Sequence, residues 1–134
     1  SLAYVDCLLA KAEADRLGAD EAFMLDERGM LAEGTVSNLF IVKHGDIYTP
    51  PVDQPILAGI TRGHVLTLAA AAGYRAVEAE VAAADLPGAD EIFITSTLRE
   101  VVPVTRVDGW TVASGRPGPI TLDLLARYRA EVRS

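Results

Sequence analysis

Apolar residues recur along this chain with two periods, one close to 3.6 residues and one close to 2. Three segments follow the helical period: residues 3–17, a segment from Ile60 or Thr61 to residue 72, and a segment after Pro119. Their apolar positions are Val5, Leu8, Leu9 and Ala12; then Val65, Leu66, Leu68, Ala69 and Ala72; and finally Leu122, Leu125 and Tyr128. Gly18 and Gly73 follow the first two segments, where a left-handed residue often ends a helix. The pattern therefore predicts three helices.

Short runs of mostly apolar or alternating residues, bounded by turn residues, predict strands between these helices. The runs are residues 21–26, 30–33, 38–43, 46–49, 75–81, 91–96, 101–107 and 110–112. Turn sequences at Glu27-Arg28-Gly29, His44-Gly45 and Asp108-Gly109 predict hairpins. Pro50-Pro51 cannot donate to a strand ladder, so an irregular segment is expected up to Leu57. Helices and strands interleave without strict alternation, which predicts one mixed α+β domain.

Composition restricts the classes of partner. Half of the 134 residues are apolar and the formal net charge is -7, so the chain lacks the basic surface that nucleic acids require. Cys7 is the only cysteine, which excludes an internal disulfide and fits a reducing cytoplasm. No apolar run approaches the roughly 20 residues of a membrane span. His44 and His64 lack the spacing of a metal-ligand set. We therefore expect a soluble, cytoplasmic domain without a metal, nucleic-acid or membrane partner.

Three short segments carry candidate chemistry. Glu33-Gly34-Thr35-Val36-Ser37-Asn38 joins two predicted strands and places a carboxylate, hydroxyls and an amide on one turn, although ordinary turn chemistry explains these residues equally well. Gly59 precedes a predicted helix whose first amides are an anion site, unless Gly59 only turns the chain and Thr61 only caps the helix. Thr95-Ser96-Thr97 follows an apolar strand; hydroxyls suit a phosphate but are also common in loops.

Taken in order, these segments resemble the fold-type IV pyridoxal-phosphate enzymes, which include branched-chain aminotransferases, D-amino-acid aminotransferases and aminodeoxychorismate lyases. The resemblance extends from about residue 3 to residue 128. It is carried by Leu25-Asp26 with Gly29, Glu33-Gly34, Ser37-Asn38-Leu39-Phe40, Thr49-Pro50-Pro51, Gly59-Ile60-Thr61-Arg62, Ala89-Asp90-Glu91, Thr95-Ser96-Thr97, Pro103-Val104, Asp108-Gly109, Gly115 and Gly118-Pro119. It implies the large C-terminal domain of such an enzyme, a mixed, curled sheet resembling a barrel with flanking helices.

The resemblance also implies residue roles around pyridoxal 5'-phosphate. The carboxylate of Glu33 pairs with the ring nitrogen and keeps it protonated, so that the ring accepts electrons from the substrate. The implied cofactor-binding residues are Tyr4, Glu33, Leu57, Gly59, Ile60, Thr61, Ser96 and Thr97. Within this set the amides of residues 60 and 61 and the hydroxyls of residues 61, 96 and 97 hold the phosphate, residue 57 packs on the ring, and residue 4 bonds its phenolic oxygen. Val36, Ser37 and Leu98 border the substrate pocket.

The catalytic lysine of this family has no counterpart in the sequence. Lys11 lies on the first predicted helix amid charged residues and Lys43 ends a strand, so both are interpreted as surface residues. In relatives with a similar segment the lysine stands immediately before the serine that matches Ser1. We therefore interpret residues 1–134 as the C-terminal cofactor-binding domain, with the lysine and a smaller N-terminal domain outside the sequence.

The resemblance implies amino-group transfer between an amino acid, of branched-chain or D type, and a 2-oxo acid in a ping-pong cycle. Val36 stands where strict branched-chain enzymes usually have glycine, so the substrate stays open. One alternative is an aminodeoxychorismate lyase that releases pyruvate. A second is a non-catalytic binding module without the lysine. A homodimer is expected from the resemblance.

Overall fold

The computed structural model describes residues 3–8, 20–25, 37–51, 55–81, 85–96, 100–107 and 110–133. These residues form eight strands and two helices. In chain order they are β1 (Ala3–Leu8), β2 (Asp20–Leu25), β3 (Ser37–Lys43), β4 (Asp46–Thr49), α1 (Pro55–Ala71), β5 (Ala76–Glu78), β6 (Glu91–Ser96), β7 (Glu100–Val107), β8 (Trp110–Thr111) and α2 (Pro119–Arg133). Neither of these two helices is long and apolar enough to cross a membrane.

These eight strands belong to one sheet, in the order β2-β1-β7-β6-β3-β4-β5, with β8 paired to β7. Every described pair is antiparallel except β4 with β5, which are parallel. A parallel pair requires a crossover connection, and α1 lies within that connection. The expected mixed sheet with helices is confirmed.

The central strands read as nearly continuous apolar runs because both of their faces are buried. On one face the sheet packs against the helices, with Val65 of α1 and Leu124 of α2 in the same buried cluster as Phe40 and Phe93. The rings of Phe40 and Phe93 stack with their centroids 4.8 Å apart. The opposite face forms a second cluster of strand residues with residues of the connecting segments. Its buried members are Ile41, Leu86, Ala89, Ile92, Ile94, Val102, Val104, Val107 and Val112.

Most strand predictions are confirmed. The strands over residues 46–49 and 91–96 have the predicted bounds, while β3 and β7 each begin one residue earlier and β2 is shifted by one. The predicted strand over residues 75–81 shortens to β5, and β8 ends at Thr111. The His44-Gly45 hairpin is confirmed, and both residues have positive φ. The predicted strand over residues 30–33 lies outside the described residues.

The first predicted helix is wrong over residues 3–8, which form β1. This strand pairs with β2 on one side and β7 on the other, so its backbone groups bond across the sheet rather than along a helix. Tyr4 and Val5 both favour strands, and tertiary pairing overrides the apolar spacing on which the helix prediction relied. Residues 9–17 of that prediction lie outside the described residues.

The two remaining helices also differ in detail from the prediction. Helix α1 begins at Pro55, earlier than Ile60 or Thr61, because proline fits the first helical position, where its missing N–H removes nothing. The apolar face of α2 is rotated from the predicted one: Leu122 is 49% exposed while Leu124 is fully buried. Leu125 and Tyr128 pack on the core as expected.

The start of α2 is held by a buried acid at the beginning of β6. The carboxylate of Glu91 accepts hydrogen bonds from the amides of Thr121 at 2.7 Å and Ile120 at 3.2 Å. These are amides that a helix leaves without an internal partner, and a negative charge there is favourable. Gly118 makes room for this contact, because a Cβ atom at that position would overlap the side chain of Glu91. The start of α2 therefore depends both on the acid at position 91 and on the absence of a side chain at position 118.

A second polar contact joins the two helices. The hydroxyl of Tyr74, just after α1, donates to Asp123 of α2 at 2.5 Å, and Arg127 donates to the other oxygen of that carboxylate at 3.0 Å. The hydrogen bond from Tyr74 holds the pKa of Asp123 below its ordinary value of 3.8, and Arg127 acts in the same direction. The same bond, together with burial, raises the pKa of Tyr74 above 10.0.

Replacing Tyr74 with phenylalanine is expected to lower the free energy of unfolding at neutral pH by about 0.5–1.5 kcal/mol. Because the pKa of Asp123 is lowered on folding, its stabilisation is complete above the unfolded-state value near 3.8 and is lost as pH falls through the folded-state pKa. The stability difference between wild type and Y74F should therefore shrink in acid, as measured by urea unfolding from pH 7 to pH 2. Tyr48→Phe, which removes a hydroxyl from the opposite layer, is the control; a Y74F difference that persists unchanged in acid would contradict the assignment.

Candidate functional site

One end of the sheet collects several of the predicted site residues. Ser37, the first residue of β3, pairs directly with Ser96, the last residue of β6, and Ser96 pairs in turn with Glu100 of β7. We call this the Ser37–Ser96 end. Thr97 and Leu98 follow Ser96 in the sequence and lie outside the described residues, as do Glu33 and Val36 before β3. The structure thus brings Ser37 and Ser96 together.

The first half of α1 lies toward the same end. Strand β4 runs antiparallel to β3, so the chain leaves Thr49 in the direction of Ser37 and enters α1 there. An Nη2 atom of Arg62 donates to the carbonyl of Pro50 at 3.1 Å and to Glu78 at 3.0 Å, which fixes residue 62 at the carboxyl ends of β4 and β5. Leu57, Gly59, Ile60 and Thr61 precede Arg62 in the helix. Four more predicted residues therefore lie toward the Ser37–Ser96 end.

Two buried hydroxyls lie between α1 and the sheet. Thr61 is one helical turn before Val65, which packs in the same cluster as Phe93, and Thr95 is the next residue on the Phe93 face of β6. Thr61 is 5% exposed and Thr95 is fully buried. The Oγ1 atom of Thr95 has no hydrogen-bond partner among the described residues. A buried hydroxyl without a partner costs about 1–3 kcal/mol, so Thr95 calls for an explanation.

The sequence analysis assigned no role to Thr95 itself, although this residue belongs to the hydroxyl run at residues 95–97. Its burial and its unpaired Oγ1 follow from the packing of the folded sheet, in which Thr95 lies opposite Asn38 of β3. Neither can be read from a local motif. The structure therefore adds Thr95 to the candidate residues.

The helix boundary changes the argument for an anion site. Because α1 begins at Pro55, the amides of Ile60 and Thr61 face the carbonyls four residues earlier and are part of the helical ladder. The expectation that these two amides are the free first amides of a helix is wrong for this structure. The hydroxyl of Thr61 is unaffected by this change, and its predicted role stays a prediction.

Tyr4 is not brought to this end of the sheet. Its neighbour Val5 pairs with Val107, whereas Ser96 pairs with Glu100 at the other end of β7. The length of β7 corresponds to roughly 23 Å at the rise of a strand. The predicted contact of Tyr4 with the cofactor therefore has no support from this placement and stays a prediction.

The remaining polar residues that the sequence singled out have structural neighbours. The backbone amide of His44 donates to Asp90 at 2.8 Å, and the ring of His64 lies 5.1 Å from that of Tyr128. Arg62, the last residue of the Gly59-Ile60-Thr61-Arg62 motif, pairs with the carboxylate of Glu78. The side chain of Arg62 is 7% exposed and that of Glu78 is 54% exposed.

Comparison with known proteins identifies the family. A sequence profile described as amino-transferase class IV matches residues 1–107. The putative branched-chain-amino-acid aminotransferase of Methanocaldococcus jannaschii is 46% identical over 129 residues, which are 96% of this chain and 45% of that protein. The D-alanine aminotransferase of Bacillus licheniformis is 46% identical over 127 residues, 95% of this chain and 44% of that protein. The chain belongs to the class IV aminotransferase family.

Solved structures agree with this membership. The branched-chain amino acid aminotransferase from Thermobaculum terrenum, solved in its PLP-form, matches with a TM-score of 0.69 and 38% identity, over 92% of this chain and 40% of that one. The fold class expected from the sequence is thereby confirmed. The chain spans less than half the length of these relatives.

Two matched substitutions test whether the buried hydroxyls of Thr49 and Thr95 are hydrogen-bonded. Thr49 and Thr95 are both fully buried in the sheet, but the Oγ1 of Thr49 donates to the carbonyl of Leu39 at 2.7 Å. Thr49→Val should lower the free energy of unfolding by about 1 kcal/mol, whereas Thr95→Val should leave it unchanged or raise it, because no hydrogen bond is lost. Urea unfolding of the ligand-free protein measures both. Equal destabilisation by the two variants would show that the hydroxyl of Thr95 has a partner.

Proposed function

We propose that the complete protein is a pyridoxal-phosphate-dependent aminotransferase that moves an amino group between an amino acid and a 2-oxo acid. The observation that carries the proposal is the meeting of Ser37, Ser96 and the first half of α1 at one end of the sheet, in a chain that belongs to the class IV aminotransferases. The relatives named above support a branched-chain amino acid or D-alanine as the donor.

The residues at this end of the sheet fit a phosphate through their hydroxyls. Thr61 and Thr95 are buried between α1 and the sheet, and the Oγ1 of Thr95 is a donor without an acceptor in the described part of the chain. A phosphate offers several strong acceptor oxygens, and hydrogen bonds to an ionised group are stronger than neutral ones. The amides of residues 60 and 61 do not add to this fit while α1 begins at Pro55. Side-chain hydroxyls therefore carry the phosphate recognition that we propose.

When bound, pyridoxal phosphate supplies a ring that accepts the electrons released as the substrate loses its α-hydrogen. In our proposal Glu33 holds a proton on the ring nitrogen, and Thr61, Ser96 and Thr97 hold the phosphate. Gly59 and Ile60 lead into this phosphate-binding part of α1, and Leu57 packs against the ring. Tyr4 remains a candidate for the phenolic oxygen. Val36, Ser37 and Leu98 border the pocket of the amino acid.

We further propose that residues 1–134 are the cofactor-binding domain and that the reactive lysine stands immediately before Ser1 in the complete protein. That amine would shuttle the proton at the substrate carbon. A smaller N-terminal domain would close the pocket, and the active form would be a cytoplasmic homodimer. The net charge of -7 supports the view that the partners are small molecules rather than nucleic acids.

The function is tested on the complete protein that contains this chain. Incubation with pyridoxal phosphate should produce the absorbance band of a lysine-bound cofactor, and borohydride reduction followed by peptide mapping should place the cofactor on the residue before Ser1. Amino transfer from leucine or D-alanine to 2-oxoglutarate should then be measurable as glutamate formation. Pyruvate release from aminodeoxychorismate without amino transfer would favour the lyase alternative, and the absence of both band and turnover would leave only a binding module.

The role of Thr61 has its own matched control within α1. Thr61→Val should weaken cofactor binding on the order of tenfold to a hundredfold, since a hydrogen bond to a charged group contributes roughly 1.5–3 kcal/mol. Thr67→Val removes an exposed hydroxyl that donates to the carbonyl of Gly63 in the same helix, and it should leave the affinity unchanged. Titration of the ligand-free enzyme with pyridoxal phosphate gives both values. Equal affinities would remove Thr61 from the phosphate site.

A further inference from the structure

Arg62 is a buried cation directly beside Thr61. Its side chain is 7% exposed, and one nitrogen, Nη2, bonds both the carbonyl of Pro50 at 3.1 Å and the carboxylate of Glu78 at 3.0 Å. These two acceptors belong to different segments: Pro50 follows β4, and Glu78 ends β5 opposite Thr49. A single guanidinium therefore ties α1 to the carboxyl ends of two parallel strands.

The contact of Arg62 lies in the first half of α1, whereas other contacts hold the end of this helix. Toward the end of α1, Ala69 packs in the buried cluster on the helix-facing side of the sheet, and just beyond the helix Tyr74 is bonded to Asp123. The first half of α1 has Arg62 as its described polar attachment to the sheet. Because Thr61 is the adjacent residue in a regular helix, a shift of the helix backbone at Arg62 also shifts Thr61. The contacts of Arg62 with Pro50 and Glu78 therefore restrain the part of the helix that contains Thr61.

A contribution to stability does not explain why Arg62 is buried and paired with Glu78. Glu78 is 54% exposed, and an ion pair with one partner in solvent contributes little, whereas burying a guanidinium is costly. The cost is increased because the Nε atom of Arg62 is buried and finds no acceptor within the residues that the structure describes. A buried charge that is only partly satisfied is a feature often associated with functional sites.

We propose that Arg62 is a positioning residue for phosphate binding: by tying α1 to Pro50 and Glu78, it fixes the Thr61 hydroxyl at the Ser37–Ser96 end of the sheet. The inference rests on the proposed function. It adds a residue that does not touch the cofactor and a partner, Glu78, that no local motif connects with the site.

The experiment compares Arg62→Lys, Glu78→Ala and Glu78→Gln with Tyr74→Phe in the complete enzyme. Tyr74→Phe removes the polar contact at the opposite end of the same helix and so reports the effect of general loosening. Three readouts are taken: the melting temperature of the ligand-free enzyme, the affinity for pyridoxal phosphate, and the phosphorus NMR shift of the bound phosphate. Glu78→Ala acts from an exposed side chain and keeps the test valid where Arg62→Lys does not fold.

Arg62→Lys should weaken cofactor affinity by about tenfold, since small displacements of a positioned group have effects of this size or larger. Glu78→Ala should weaken it in the same direction and shift the phosphorus signal, and Glu78→Gln, which keeps an acceptor oxygen, should restore most of the affinity. Tyr74→Phe should lower the melting temperature with affinity and signal unchanged. If the Arg62 and Glu78 variants bind the cofactor as Tyr74→Phe does, the inference is overturned. If the wild-type enzyme binds no cofactor, the proposed function fails first and the inference with it.

Discussion

The pairing of β4 with β5 is the constraint on which the site depends, because it is the parallel pair in a sheet whose other described pairs are antiparallel. A parallel partner cannot be reached through a tight turn, so the chain has to cross the sheet between the two strands. That crossing contains α1 and directs its first half toward the carboxyl end of β4. Arg62 then holds the crossing in place at Pro50 and Glu78. Fold and site are therefore linked through one connection.

The side chains of the central strands are apolar in the middle of the sheet and carry hydroxyls at one end. In the middle of the sheet, apolar residues fill both faces, and the rings of Phe40 and Phe93 stack on each other. At the Ser37–Ser96 end, hydroxyl residues replace them on neighbouring strands. Thr95 marks the boundary, because it is buried like a core residue yet carries a hydroxyl that no described residue pairs with. The site that we propose lies beyond this boundary, at the Ser37–Ser96 end.

The sequence predicted the interior strands well because dense apolar runs bounded by turn residues have few alternative interpretations. It failed where tertiary contacts decide: residues 3–8 take up strand pairing on both sides, Pro55 starts α1 early, and Leu122 faces solvent. The candidate residues came from ordered short motifs. The partners of Arg62 could not be predicted, since Pro50 and Glu78 are brought to it by the crossover rather than by spacing along the chain.

The acid at the start of α2 also bears on how an anionic ligand would distribute over the molecule. Glu91 occupies the positive pole of that helix and accepts from the amides of Ile120 and Thr121, and the absence of a side chain at Gly118 makes room for its carboxylate. A phosphate that approaches the start of α2 meets the carboxylate of Glu91, whose negative charge opposes the attraction of the helix for the phosphate. The first amides of α2 are therefore already occupied and are not available to an anionic ligand.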